Sequence, residues 1–475
     1  MPLPRYEMLA QEMAQLIDSG VLRPGDRLPS VRATCSSHCL SPATVLQAYY
    51  LLERQGLLEA RPKSGYYVRP RPGARLAEPQ ISQPDNASVA VNISDFVFEI
   101  LGTTRDRSVL PLGSGFPSPL LFPLDKLARC LGHAARHMDP WATVRDLPPG
   151  NDELRRQIAL RYLANGAPVK PQEIVVTTGA MEALNLCLQA VARPGDLIAV
   201  ESPTFYAGLQ AIERLQLKAV EIPTHPRDGL SIAALADILA KQPVKACLLM
   251  LNFQNPLGSL VPSAKRQELL ALLARYEVPL IEDDVYAELY FGAASLAPPS
   301  SKADDHHGRV MHCGSFSKCL APGYRVGWVA AGRYARAVER LKLMTTLSNN
   351  IPSQIALADY LQQGGYEPHL RRLRRALSSQ QASMVAAIEQ HFPADTRLSR
   401  PAGGYFLWLE LAPGSDTLAL HRQALQHGIS IAPGPIFSAK REYRHCLRLN
   451  FGHPWDASME QAIATLGQLA QGLAL

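Results

Sequence analysis

The chain has 475 residues, 47% of them hydrophobic and 19% charged, with a formal net charge of +6. That length predicts two or three domains, and the composition excludes a largely disordered chain. No apolar run is long enough to cross a bilayer, and Glu7, Glu12 and Asp18 near the amino terminus exclude a secretory signal, so a cytoplasmic location is expected. The eight cysteines do not resemble a disulfide scaffold. Cys35 and Cys39, on either side of His38, lack the spacing and the second pair of a zinc knuckle; a buried or half-buried structural role is expected, and no metal.

In chain order, apolar positions at Tyr6, Leu9, Met13, Leu16 and Ile17 predict a first helix closed by Gly20. Pro24-Gly25 then turns the chain, and Pro29-Ser30 precede a second short helix. The next stretch, LSPATVLQAYYLLERQG, offers Ser41 as a helix cap, Pro42 at the first helical position, and Val45, Tyr49 and Leu52 on one face, with Gly56 as the stop. Ala43, Thr44 and Gln47 are left on the outer side, where short polar side chains and free amides suit a helix end lowered into a major groove. LLEARPKSGYYV then fits a two-stranded wing in which Arg61 and Lys63 are placed for phosphate or minor-groove contact. Residues 1–75 hold ten basic side chains against six acidic ones, and five of the basic charges lie in the wing and the segment after it.

Pro70, Pro72, Pro79 and Pro84 interrupt any helix in the next stretch, which reads as a semi-extended, solvated linker. From about Ser108, apolar runs such as EIVV (173–176), DLIAV (196–200), CLLMLNF (247–253) and VPLIED (278–283) alternate with amphipathic helices. The alternation predicts a mostly parallel sheet covered by helices on both faces.

Several loops after these strands carry chemistry. GSFSKCLAPGYRVGW (314–328) sets Lys318 among Ser315, Ser317 and Arg325. A lysine amine forms an imine with an aldehyde when the rest of the ligand is held in place. In TTGAMEALNLCLQAV (177–191), Gly179 opens a helix whose first amides, at Ala180 and Met181, suit a phosphate. The two serine hydroxyls and the guanidinium of Arg325 close the other side of such a cup. Asp283 ends a strand where open α/β sheets bind ligands, and its carboxylate can keep a pyridine nitrogen protonated. Tyr286 and Asn255 can bond a ring oxygen. Phe205 offers the ring an aromatic face, with core packing as the alternative. The run Arg371–Arg375, RRLRR, lies on a helix and reads as a solvated or subunit-facing surface.

GVLRPGDRLPSVR followed by SPATVLQAYYLLERQGLLEARPKSGYYV resembles the winged helix-turn-helix of the GntR superfamily of bacterial transcription regulators. The resemblance implies DNA contact by Arg32, Ser41, Thr44 and the wing at Gly65. It departs from the family at CSSHC (35–39), and at Pro42, where many members have arginine. The region from about 110 to 470 resembles fold type I enzymes of the aspartate aminotransferase class. That implies pyridoxal 5'-phosphate held by Lys318, Asp283, Asn255, Tyr286, Ser315 and Arg325, and a substrate carboxylate held by Arg448 in CLRLNFG. Tyr324 stands where that class usually has leucine and is expected to alter the cofactor entrance.

Head and body together resemble the MocR subfamily of regulators. The expected α/β architecture is a winged helix-turn-helix (1–70), a linker (71–107) and an aminotransferase-like domain (108–475) with a mainly parallel central sheet and a smaller C-terminal α+β subdomain. The resemblance implies a head-to-tail, domain-swapped homodimer on double-stranded promoter DNA. Its effector would be an amino acid, amine or B6 vitamer acting through aldimine chemistry at Lys318. The alternative is an amino acid aminotransferase, transferring its amino group to a 2-oxo acid, with an accessory head.

Overall fold

A computed structural model describes residues 4–18, 21–22, 26–61, 64–68, 76–102, 108–292 and 297–472. The head is built from helices α1 (Arg5–Asp18), α2 (Val31–His38) and α3 (Pro42–Arg54), followed by the antiparallel hairpin of β1 (Leu58–Arg61) and β2 (Gly65–Val68). The apolar stripe expected on α1 packs Leu9 and Met13 against Val45, Tyr49 and Leu52 of α3, with Leu28, Leu58 and Val68 completing the core. Each such aliphatic side chain contributes about 1.5–3 kcal/mol on burial. The altered CSSHC segment still closes onto this core, because Thr34 and Tyr49 share a buried hydroxyl–hydroxyl hydrogen bond of 2.7 Å. Cys39 is exposed rather than buried: it ends α2 at φ +51°, a left-handed cap that turns the residue outward. Gly20, Lys63 and the Arg61 side chain fall outside the described residues.

The body's central sheet has the order β3 (Val89–Ala90), β6 (Lys218–His225), β5 (Leu197–Ser202), β8 (Val244–Leu249), β9 (Leu280–Asp283), β10 (Val310–Ser315), β11 (Gly327–Ala330), β4 (Ile174–Thr177). The short β7 (Gly229–Leu230) is folded back on β6. Pairings from β6 through β10 are parallel, and β11 runs antiparallel to both of its neighbours. Helices on both faces bury all six residues of β5, which explains its nearly unbroken apolar sequence. A smaller antiparallel sheet, β12 (Arg397–Leu398), β13 (Phe406–Glu410), β15 (Cys446–Asn450) and β14 (Ala432–Pro433), forms the C-terminal subdomain.

The segment expected as a solvated linker is instead fastened to the body from Leu76 onward. Leu398 N–H donates to Ala77 O at 2.8 Å, Gln80 N–H to Glu410 Oε2 at 2.9 Å, and Thr224 N–H to Ser82 Oγ at 2.7 Å. Val89 and Ala90 add the edge strand β3 to the sheet. Helix α4 (Ser94–Gly102) follows, its start held by Glu213 Oε2, which accepts from Ile93 N–H and Ser94 N–H at 2.8 and 2.9 Å. Pro70 and Pro72 lie outside the described residues, whereas Pro79 and Pro84 do stop helix formation. They leave extended backbone that a sheet edge can bind, a pairing to which local periodicity is blind.

Candidate functional site

Gly179, Phe205, Asn255, Asp283 and Lys318 all lie at or after the carboxyl ends of strands of the central sheet, so the sheet brings residues far apart in sequence to one edge. Ala180, Met181, Phe205, Asp283, Tyr286, Ser315, Ser317, Lys318 and Arg325 line one cavity of about 290 Å³. Gly179 sits at φ +78°, and a Cβ there would come within 2.6 Å of an Arg325 guanidinium nitrogen; only glycine lets that side chain lie across the start of helix 180–191. Arg325, itself left-handed at φ +50°, donates to Ser317 Oγ at 3.1 Å, and Ser315 Oγ accepts from Ser317 N–H at 3.1 Å. Two hydroxyls, a guanidinium and the amides of a helix start thus face one small volume.

Asp283 is 3% exposed, and its Oδ1 has no hydrogen-bond partner among the described residues. Burial, reinforced by the charge of Asp284 and opposed by Lys318 and His312, pushes its carboxyl up to about 7. Lys318 Nζ donates to Gly115 O at 2.7 Å and lies 3.7 Å from the centre of the Phe116 ring. Burial and the neighbouring Arg448 lower its amine to about 7, against the pull of Asp283. Tyr286 is buried edge-on to Tyr405, and burial raises its phenol.

Asn255 and Arg448 form a second layer. Arg448, on β15 and fully buried, donates to Asn255 Oδ1 at 2.9 Å and to Gly113 O at 2.7 Å, and stacks 4.1 Å over Phe406. Its Nε and the Asn255 Nδ2 are buried without partners among the described residues. Buried donors left unpaired in a folded protein mark a place for a polar ligand.

The sequence reading missed Tyr206, Phe116 and Leu101, which also line the cavity. Tyr206 was adjacent to the chosen Phe205, and the GSGF turn at 113–116 carried a glycine signal. Leu101 could not be found, because it belongs to the segment read as linker. Tyr324 does not line the cavity; its hydroxyl donates to Leu127 O at 2.8 Å, tying it to a neighbouring helix. Within RRLRR, Arg371 and Arg375 are exposed, but Arg374 is turned inward, donating to Glu288 and stacking 3.7 Å over Tyr290.

In the head, Ser41 Oγ accepts from Thr44 N–H at 3.2 Å, which caps α3 as its sequence demands. Ala43 and Gln47 are exposed and Thr44 half-buried, all on the first turns of α3, and Arg32 is exposed on α2. Gly65 opens β2 at φ +114°, with a Cβ there 3.3 Å from Arg27 Nε. The wing meets the body where Ser379 Oγ donates to Glu59 Oε2 at 3.3 Å.

Comparison with known proteins divides the chain in the same way. Residues 5–68 match the family of bacterial regulatory proteins of the gntR family, and residues 135–466 match aminotransferase class I and II. The chain is 47% identical over 469 residues to the uncharacterized HTH-type transcriptional regulator YdcR of Escherichia coli, covering 99% of each. It is 30% identical over 381 residues to aromatic-amino-acid aminotransferase 1 of Thermococcus litoralis, covering 78% of this chain and 90% of the relative. Among solved structures, the α-aminoadipate aminotransferase LysN of Thermus thermophilus, complexed with N-(5'-phosphopyridoxyl)-L-leucine, superposes with a TM-score of 0.73 at 28% identity, covering 80% of this chain and 95% of LysN. No helix among the described residues is long and apolar enough to cross a membrane. With a gntR-type head and an aminotransferase class I and II body in one chain, and a relative matched from end to end, the protein belongs to the MocR subfamily of GntR-type transcription regulators.

Proposed function

We propose that this regulator holds pyridoxal 5'-phosphate in the cavity at Lys318 and signals the arrival of an amine, amino acid or B6 vitamer to its DNA-binding head in the cytoplasm. One observation carries the reading: the Lys318 amine, the unpartnered Asp283 Oδ1 and the Gly179–Arg325 cradle share a single cavity. The residues fit the group in kind and number. When bound, pyridoxal phosphate supplies an aldehyde that condenses with primary amines and a ring that withdraws electrons.

The chain's own residues do the rest. Arg325, Ser315, Ser317 and the amides of Ala180 and Met181 would hold the phosphate, where helix dipole and guanidinium act together. Asp283 would keep a proton on the ring nitrogen, and Tyr286 and Asn255 would bond the ring oxygen. Lys318, with its amine lowered to about 7, is largely neutral and nucleophilic just above neutrality. It would take up a proton at Nζ when an incoming amine displaces it. Arg448 would pair with the carboxylate of an amino acid, its unpartnered Nε being a free donor. In the head, Arg32, Ser41, Ala43, Thr44, Gln47, Arg61, Lys63 and Gly65 would form the DNA surface. The active form would be a head-to-tail, domain-swapped dimer; exposed Leu120, Trp141 and Val144 give a second copy of the chain apolar surface to cover.

The test is a footprint on the DNA upstream of the protein's own gene, with and without cofactor and candidate amines. A changed footprint or affinity when an amine alters the cofactor absorbance is the expected result. An amine that alters the absorbance and leaves the footprint untouched breaks the coupling. The intact Lys318, Asp283 and Arg448 set also supports a second reading, amino acid aminotransferase activity, which requires multiple turnover with an amino acid and a 2-oxo acid.

A further inference from the structure

Strand β9 ends in Glu282 and Asp283 and is followed directly by Asp284, all three nearly inaccessible. Asp283 lines the cavity of Lys318, whereas Asp284 lines a second cavity of about 430 Å³; the two share Val285 and Ser315 as walls. A negative charge therefore lies directly behind the carboxylate that faces the ligand. His312, on the adjacent strand β10 and 5% exposed, meets that charge: its Nε2 is 2.8 Å from Asp284 Oδ2 and 3.9 Å from Glu282 Oε2. Its Nδ1 lies 2.7 Å from the Tyr162 hydroxyl, which accepts from Trp328 Nε1–H at 3.0 Å.

On the other side, Arg266 donates to Glu282 Oε1 at 2.9 Å and to Asn252 Oδ1 at 2.6 Å, and Asn252 Nδ2–H donates to Asp284 Oδ1 at 2.9 Å. Arg266 thus neutralises Glu282, and His312 remains for Asp284. The third nearby cation, Lys302, is bound to Asp305 and Glu173. Glu282, Asp284 and His312 have ligand atoms within 4.8 Å of one another, a spacing that would suit a metal ion. Arg266 and Asn252 already occupy a carboxylate oxygen of each acid, so an imidazolium accounts for the charge without one.

We propose that His312 is a positioning residue for the ring-nitrogen contact: clamped to Asp284 as an imidazolium, it cancels the charge behind Asp283 and keeps Asp283 available as a carboxylate. The inference rests on the reading that pyridoxal phosphate binds with its ring nitrogen at Asp283. Burial opposes a charged His312, but the hydrogen bond to Asp284 and the charge of Glu282 outweigh it and raise its pKa. Facing Asp283 are Asp284, Lys318 and His312, with the Tyr286 phenol and the Cys313 thiol also close. Glu201, on β5, is pushed up to about 8 by burial, with Asp283 adding to the effect, and so is largely uncharged at neutral pH. The groups that set Asp283's ionisation are therefore Asp284, which favours the proton, and the two cations, which oppose it.

The experiment measures the affinity of the full-length protein for pyridoxal phosphate as a function of pH, from the absorbance of the bound cofactor, in wild type, His312→Gln, Asp284→Asn and the double variant. Removing the counter-charge moves the acid loss of affinity to higher pH. His312→Gln is expected to bind about fivefold more weakly at the wild-type midpoint and about tenfold more weakly well below it, as for a shift of about one pKa unit, and to converge with wild type at alkaline pH. Asp284→Asn moves the midpoint down. The double variant, which removes charge and counter-charge together, returns toward wild type. An equal loss at every pH in His312→Gln, unrelieved in the double variant, overturns the proposal and makes His312 a packing residue. Thermal unfolding of each variant identifies a folding defect, and if His312→Gln does not fold, an unmoved midpoint in Asp284→Asn overturns the proposal by itself. Wild type without any cofactor signal fails the underlying reading, and the role of His312 with it.

Discussion

The head and the body place their polar groups in opposite ways. In the head the core is apolar but for the paired hydroxyls of Thr34 and Tyr49, while Arg32, Ala43 and Gln47 stand in solvent. In the body, Glu282, Asp283, Arg266 and Arg448 are all buried and are held by one another or by their surroundings. A surface that reads a polyanion can leave its side chains in water, because the phosphates bring a dense charge to it. A site for one small molecule works by excluding water, so its charges must be fixed beforehand and balanced.

Variants can break this comparison. Lys318→Ala should remove covalent retention of the cofactor entirely, read as loss of visible absorbance after gel filtration, and leave the DNA affinity of the cofactor-free protein unchanged. Asp283→Asn removes one partner of a buried charge pair, a change of about 3–5 kcal/mol, and should weaken cofactor binding by at least two orders of magnitude in an equilibrium titration. Gln47→Ala on the exposed turn of α3 should cost about 1–3 kcal/mol on specific DNA and relax the preference at one base pair, with no effect on the cofactor spectrum.

Acidity should separate the regions more gently. Asp283 is raised to about 7, so it gains a proton as pH falls through that value, and cofactor affinity should fall with it by about tenfold per unit. Lys318 is lowered to about 7 and loses its proton as pH rises, so the rate of cofactor capture should climb over the same range. The smallest effect belongs to Ser41→Ala, which removes the cap of α3 and should lower the stability of the head by about 1 kcal/mol, measured by thermal unfolding.

Much of this arrangement was legible in the residues. Strand-loop motifs placed Lys318, Asp283, Gly179 and Arg325 at one sheet edge, because a parallel α/β sheet leaves one such edge for ligands. Local signals likewise marked the cap at Ser41, whose side chain bonds the amide three residues on. What escaped notice depends on pairing between distant segments. β3 is two residues long and owes its existence to β6. Arg374 looked like its neighbours in RRLRR until Glu288, 86 residues away, drew it inward. His312 gives no signal in its own strand; its meaning comes from the acids of β9 and from Tyr162 across the cavity.

The fastening of the chain from Leu76 onward has a geometric consequence for the operator. Val68 ends the wing and Leu76 is already bound to the body, so the tether between them is the seven residues 69–75 and not the whole proline-rich stretch. Fully extended, it reaches about 28 Å. In a dimer, the distance between two DNA half-sites would therefore be set mainly by the dimensions of the paired bodies, which act as a ruler with short arms.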